Sequence, residues 1–571
     1  MLVGVGLVAS GVLTYYPPDE VLAAPATLVV NSTVDAVDVN PGDGVCATGA
    51  GTCTLRAAIQ EANAVNDHNV IEVPAGTYEL GAFGAGEDAA ATGDLDITAP
   101  VTIAGAGAAA TIVDGTGGDR VFHLLPAIAE VELPDTSPDV TFSGLTIRNG
   151  LTEEDGGGIY SLSGGTLILD AVTVTGNTTT ADGGGIHTAT GTLHVRNGSV
   201  VSDNEARSGG GIFNAGELNP SGVPSQAVVT GSTITGNIAL GGGGGVWNDH
   251  EGALTLTDVE VTDNFAEDNG GGVGVVSKSS LTVNGGTFSG NRAHGEGGAA
   301  STATERAVRI TGTTFTGNEA GVPTELEAGE GGGGALTMGG DGVVEIVDST
   351  FTENSAPGEG GAIYLDNNGS VAITDSTVSG NESGAGGGGI ENAATRVTFI
   401  GLQISGNRAT LDGGGIESQG SGAFTIIDTT VSGNTAENGG GFANAADGST
   451  RVERSLFWDN RALIGLNDDT GLGGGIYSLG DSGASYENVT ITGNLGQVRG
   501  GGFYVDADAG VRVTNSTIVG NSSPVAGGAG GEIGSINFPI QPSTSVIFRN
   551  TIVAGNLLGP NCSFAIGSEG G

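Results

Sequence analysis

Two sets of side chains recur at fixed phase and could do chemistry. The residue close before a run of glycines is often acidic: Asp155, Asp182, Glu296, Glu330, Glu359 and Asp412. Asn269 and Asn438 take the same slot elsewhere. If successive units stack in register, Glu296, Glu330 and Glu359 fall on three consecutive turns at strand spacing, about 4.8 Å. Like charges that close are unfavourable unless screened, protonated or bridged by a cation. Oxygen ligands of this kind suit calcium. Glu296, Glu330 and Glu359 are therefore the candidate metal ligands, and no motif requires any other cofactor. The simpler alternative is that these loops splay outward and water screens them.

The second set is aromatic. Tyr160, His187, Phe213 and Trp247 stand on four successive units, each directly after the apolar residue that follows the glycines. Strand alternation points this position outward. A line of exposed rings can stack on the apolar faces of sugars, and Asn248 and Asp249 add polar groups beside the largest ring. These six residues are the candidate glycan contacts. The competing expectation is that the rings stack on one another and shield the sheet, as ordinary cross-strand pairs do.

Catalysis has weaker support. Glycoside hydrolysis needs two carboxyls held at close range, and no tight carboxylate motif is present, so no catalytic residue is assigned. His68, His123, His194 and His294 show no metal-ligand spacing. Arg207, Arg292, Arg408 and Arg461 each closely follow a turn asparagine, where a solvated rim is the simpler reading. Threonine pairs such as Thr173/Thr175 and Thr490/Thr492 form an array of the kind ice-binding solenoids use. Threonine is also a good exposed strand residue, and Gln403 and Trp458 interrupt the array.

The elements that position these groups follow from a repeat. A tripeptide ending in asparagine, usually Thr/Ser-Gly-Asn, recurs at Asn177, Asn204, Asn237, Asn264, Asn291, Asn318, Asn354, Asn381, Asn407, Asn434, Asn460, Asn494, Asn521 and Asn556. Nine of the thirteen steps are 26 or 27 residues, and the others are 33 to 36. A fixed period in this range signals a stacked array. One unit holds three short strand patterns, Thr166-Leu-Ile-Leu-Asp-Ala, Val172-Thr-Val-Thr and Ile186-His187. Three strands in about 27 residues suit one turn of a parallel β-helix rather than a four-stranded propeller blade. The apolar residue three before each asparagine (Val174, Ile234, Phe288, Phe315, Phe351, Ile491) should stack inward. The asparagines suit a left-handed corner and can form an amide ladder.

Before the array, Thr54 can cap a helix running to about Asn66, with Leu55, Ile59 and Ala62 on one face. Such a helix would cover the first rung's open core. Residues 1–26 read as a signal peptide: 2–13 are apolar, and Ala24-Pro25-Ala26 fits a cleavage site, although no Lys or Arg precedes Arg56. Residues 27–144 are the cap and first rungs, 145–556 the array, and 557–571 a tail that reads as truncated. Cys46 and Cys53 lie close enough in sequence to pair, which is compatible with an oxidising compartment. The net charge of −47 disfavours nucleic acid and anionic lipid as partners. No segment after the first is apolar and long enough to be a transmembrane helix.

Two resemblances refine this. Phe315-Thr-Gly-Asn318, Phe351-Thr-Glu-Asn354 and Gly360-Gly-Ala-Ile363 resemble the FxxN and GGA[ILV] repeats of the chlamydial polymorphic outer-membrane proteins. Asp43-Gly-Val-Cys46 through Cys53-Thr-Leu-Arg-Ala-Ala-Ile-Gln-Glu-Ala-Asn63 resembles the CSLREA segment of secreted bacterial β-helix proteins, with Ala57 in place of the glutamate. The resemblance implies an all-β, right-handed, single-stranded parallel β-helix of the pectate-lyase-like kind with an N-terminal helical cap. It also implies export to the medium or cell surface and an adhesin-like role. Polysaccharide lyases and hydrolases share the fold and stand as the alternative activity.

Overall fold

The computed structural model describes residues 27–65, 68–84, 86–126, 137–217, 222–322, 331–465, 470–479, 483–505 and 510–523, followed by 536–539, 546–555 and 563–565. The expected signal peptide, Glu330, Asn556 and most of the tail lie outside the described residues.

The chain winds as a parallel β-helix. In the unit read above, strands span Thr166–Asp170, Thr173–Thr175 and Ile186–Thr188. Each pairs in parallel with its counterpart one turn on, at Thr192–Arg196, Val200–Ser202 and Ile212–Asn214. The same rule generates an 18-stranded sheet from strands of three to five residues, and two further all-parallel sheets run beside it. The first rungs join these same sheets without a break: Val140–Ser143 pairs with Val101–Gly105 on one side and Thr166–Asp170 on the other. A fourth ladder of two-residue strands, such as Thr178–Thr179 on Leu151–Thr152, follows the asparagine corner. Two residues are too few to show alternation, so the expectation of three strands missed it.

Alternation decides what enters the core. Leu167 and Leu169 of one long strand are buried while Thr166, Ile168 and Asp170 are half-exposed. Phe288, Phe315 and Phe351 stack on consecutive rungs with centroids 4.9 and 4.8 Å apart. Burying one such ring contributes roughly 2–3 kcal/mol, and the stacking adds about 1 kcal/mol.

The corner asparagines form a continuous buried ladder. Asn264 donates through Nδ2 to Asn291 Oδ1 at 3.0 Å and to the Ile234 carbonyl at 3.0 Å, and its backbone N–H donates to the same Asn291 oxygen at 3.2 Å. Asn291 repeats this toward Asn318 and the Val261 carbonyl. Each side chain thus uses both donors and both lone pairs. The left-handed residue is not the asparagine but the one before it, for example Gly176 at φ 64°, Asp203 at 54° and Gly290 at 65°. Glycine is common there because it has no Cβ penalty in that region. The asparagine is selected for its amide, not for its backbone.

The cap helix spans Leu55–Val65 and buries Leu55, Ile59 and Ala62. Thr54 Oγ1 caps it by accepting from the Ala57 N–H at 3.1 Å. Cys46 and Cys53 form a disulfide beside it. Arg56, on the helix's inner face, is fully buried. It pairs with Asp35 and donates to the carbonyls of Ala90, Gly93 and Asp94 at 3.2, 2.7 and 3.0 Å. That network fixes the loop that carries the acidic residues described next. No helix among the described residues is long and apolar enough to cross a membrane.

Candidate functional site

The outward position of the third sheet is one continuous column. Its register runs Asp96, His123, Tyr160, His187, Phe213, Trp247. His123 stacks parallel on Tyr160 at 5.2 Å, Tyr160 meets His187 edge-on at 5.0 Å, and His187 stacks on Phe213 at 4.9 Å. The rings do shield the sheet: His187 and Phe213 are buried, and Tyr160 and Trp247 are half-buried. Trp247 lies across Gly242 and Gly274, whose missing side chains make room for the indole. Asn248 is fully buried, because alternation turns the next residue inward. It accepts from Asn214 Nδ2 and donates to the Gly252 and Ser280 carbonyls. Asp249 holds a turn, accepting from Ser277 Oγ at 2.8 Å. The expected exposed aromatic face is therefore corrected: His187, Phe213 and Asn248 are not at the surface, and Asp249 is committed to its turn.

At the N-terminal end of this column the loops open into a cleft of about 590 Å³. Its lining includes Asp88, Asp94, Asp119, Arg120, His123, Leu151, Glu153 and Glu154. Arg120 is buried in its wall. It pairs with Asp94 at 2.9 Å and Glu154 at 2.7 Å, donates to the Asp155 carbonyl at 3.0 Å, and lies over the Tyr160 ring. Burial, followed by the charge of Asp96, pushes the Asp94 carboxyl up to about 8 against the pull of Arg120. Burial also pulls His187 down and so holds it neutral, although Asp155 and Asp182 oppose this. Asp96 is fully buried; its Oδ2 accepts from the Ala90 N–H at 2.7 Å, and its Oδ1 has no hydrogen-bond partner. His123 Nδ1 stands 3.4 Å from that Oδ1 and 4.0 Å from Asp88. Carboxylates, an imidazole and a guanidinium converging on one concavity form the described chain's main candidate site.

The profile described as "Right handed beta helix region" matches residues 219–404 and, overlapping them, 334–526. The chain belongs to the right-handed β-helix family. No curated protein matches it in sequence. Among solved structures, this β-helix protein is similar to the A-module of the Azotobacter vinelandii mannuronan C-5 epimerase AlgE6, at 15% identity over 87% of this chain and 94% of that one, with a TM-score of 0.27. The AlgE4 A-module from the same organism gives 13% identity over 93% and 97%, with a TM-score of 0.20. Pectate lyase Pel9A gives 12% over 95% and 83%, with a TM-score of 0.17. At this level of similarity none of these activities is transferred.

The acidic slot of this β-helix also needs correcting. Strand register pairs Ala300 with Leu336 and Leu336 with Ile363. Counting back from these residues places Glu296, Gly332 and Glu359 at equivalent positions, so Gly332 and not Glu330 occupies the middle rung. Glu296 and Glu359 are then two strand spacings apart, about 10 Å. Among the described residues, the grouping of three ligand atoms close enough to hold an ion is Asp88, Asp96 and His123. Burial, with Asp366 and Asp268 behind it, raises the Glu296 carboxyl. The four rim arginines are exposed, and pair with carboxylates such as Glu319 at 3.2 Å and Glu382 at 3.6 Å. In the second sheet, Glu260 and Leu456 join Gln403 and Trp458 in breaking the threonine array.

Further along the aromatic column, Glu391 and Glu417 face each other on consecutive rungs. Both are buried. Glu417 accepts from Gln419 at 3.0 Å and from the protonated Glu391 carboxyl, while no side-chain or backbone group donates to Glu391. Burial and the mutual charge raise Glu391 well above the usual carboxylate range. Burial, then Asp412, pushes Glu417 up to about 7. Sequence reading found neither this pair nor the cleft residues Asp94, Asp96, Asp119 and Arg120. The available signal was the column phase: Glu391 and Glu417 directly follow Ile390 and Ile416, as Tyr160 follows Ile159.

Proposed function

We propose that the chain is an exported, cell-surface or secreted adhesin-like scaffold that holds a glycan in its N-terminal cleft. The cleft itself carries this reading, being a concavity lined by carboxylates and one exposed leucine, Leu151. Carboxylates accept hydrogen bonds from sugar hydroxyls, and an apolar side chain packs on a pyranose face. With a net charge of −47, the rod repels uronate and sulfate polymers, so the ligand class is a neutral or amino sugar. Export is supported by the CSLREA-like segment, by the FxxN and GGA[ILV] repeats, and by the Cys46–Cys53 disulfide. Calorimetric titration of neutral and amino-sugar oligosaccharides tests the reading. Glu153→Lys, an exposed change in the cleft wall, should weaken binding by about tenfold or more. Trp247→Ala should leave it unchanged. The opposite pattern would return the contact to the aromatic column.

A second reading, polysaccharide cleavage, is favoured by the convergence of Asp94 and Asp119 on Arg120 within the cleft, since two carboxyls flanking a bound sugar are what hydrolysis requires. Following chain length during incubation separates the two readings: an adhesin leaves the polymer intact, and an enzyme shortens it.

A further inference from the structure

We propose that Asp88, Asp96 and His123 form a three-ligand site for a divalent first-row transition ion, of which zinc is the best fit. Two carboxylate oxygens and one imidazole nitrogen lie within 4.8 Å of one another. Zinc bonds of about 2.0–2.1 Å place two tetrahedral ligand atoms about 3.4 Å apart. The Asp96 Oδ1 to His123 Nδ1 separation is 3.4 Å. Asp88 stands 4.0 Å from the same nitrogen on an exposed side chain and can close the remaining gap by a rotamer change.

An independent observation points to a ligand. Asp96 is fully buried, and its Oδ1 has no hydrogen-bond partner. A buried carboxylate oxygen left unpaired is costly, and a cation beside it removes that cost. Nearby Arg120 is already matched by Asp94 and Glu154, so it does not serve this oxygen. The nitrogen in the set selects zinc-class ions over calcium, which prefers six or more oxygens. His123 is held in place by its parallel stack on Tyr160. Three protein ligands leave a fourth position, which would face the cleft that Asp88 and His123 line. The site does not depend on what else fills the cleft, and it is separate from the acidic glycine-run slot.

The test is calorimetric titration of the full chain with zinc chloride alone, paired with thermal melts. One equivalent of zinc should bind, and the melt should rise with zinc. Calcium should bind at least about tenfold more weakly. Asp88→Asn should weaken zinc by about tenfold or more with a metal-free melt that matches the parent, and His123→Gln should abolish the site. Asp96→Asn should behave as His123→Gln does, but the exposed Asp88 decides the matter if the buried change prevents folding. Absence of zinc binding, equal zinc binding by parent and variants, or a preference for calcium would each overturn the assignment.

Discussion

Glu391 and Glu417 show how one outward position can become a buried one. Both sit where Tyr160 and Phe213 sit elsewhere, under a cover of glycine-rich loops so close that Gly386 has no room for a side chain beside Glu417. One shared proton neutralises part of the pair. Between the ordinary carboxyl range and the raised value of about 7 for Glu417, the folded chain binds more protons than the unfolded one. Stability therefore falls as pH rises through that window. Melts from pH 5 to pH 8 should decline, and Glu417→Gln should make the decline shallower, gaining up to about 3 kcal/mol above pH 7 and leaving the part that the raised Glu391 carboxyl contributes. A parent and variant with parallel profiles would mean the pair is solvated. Trp247 gives a second check at this scale. Gly274→Ala places a methyl group where the indole lies, so tryptophan emission should shift to the red. Unchanged emission would place the ring elsewhere.

The asparagine ladder is the element that sets the corner. Asn291→Ala leaves the Asn264 N–H and Nδ2, the Val261 carbonyl and the Asn318 oxygen each short of a bond. Orphaned buried groups cost about 1–3 kcal/mol each, so denaturant unfolding should show a loss of at least about 3 kcal/mol. A loss under about 1 kcal/mol would mean that water replaces the amide. Much of this was legible in the sequence. Asn177 to Asn521 recur at one phase, the residue three before each is apolar, and Leu55, Ile59 and Ala62 mark the cap helix. The cleft was not legible, because its column runs through rungs of unequal length. Tyr160 pairs with His123 across 37 residues and His123 with Asp96 across 27. Counting by the 27-residue repeat from Tyr160 therefore misses both partners. Glu330 failed for a related reason: a longer glycine run moved the slot to Gly332.

Across the whole molecule, each rung pairs its strands with those of its neighbours, so function is local to a stretch of the rod. The outward column changes character along its length. It is acidic and imidazole-bearing at the capped end, aromatic from Tyr160 to Trp247, and carboxylic again at Glu391 and Glu417. The capped end combines that column with an open concavity, and Arg56 ties the cap to the loop that builds it. The cap and the site are in this sense one structure. The central claim is that the rod's ligand sits there. Hydrogen exchange on the full chain, with and without a bound neutral or amino-sugar polysaccharide, tests it most directly. The account predicts protection confined to residues 86–94, 117–123 and 151–154. Protection centred on Gly242–Asp249, or spread evenly along the rod, would contradict it.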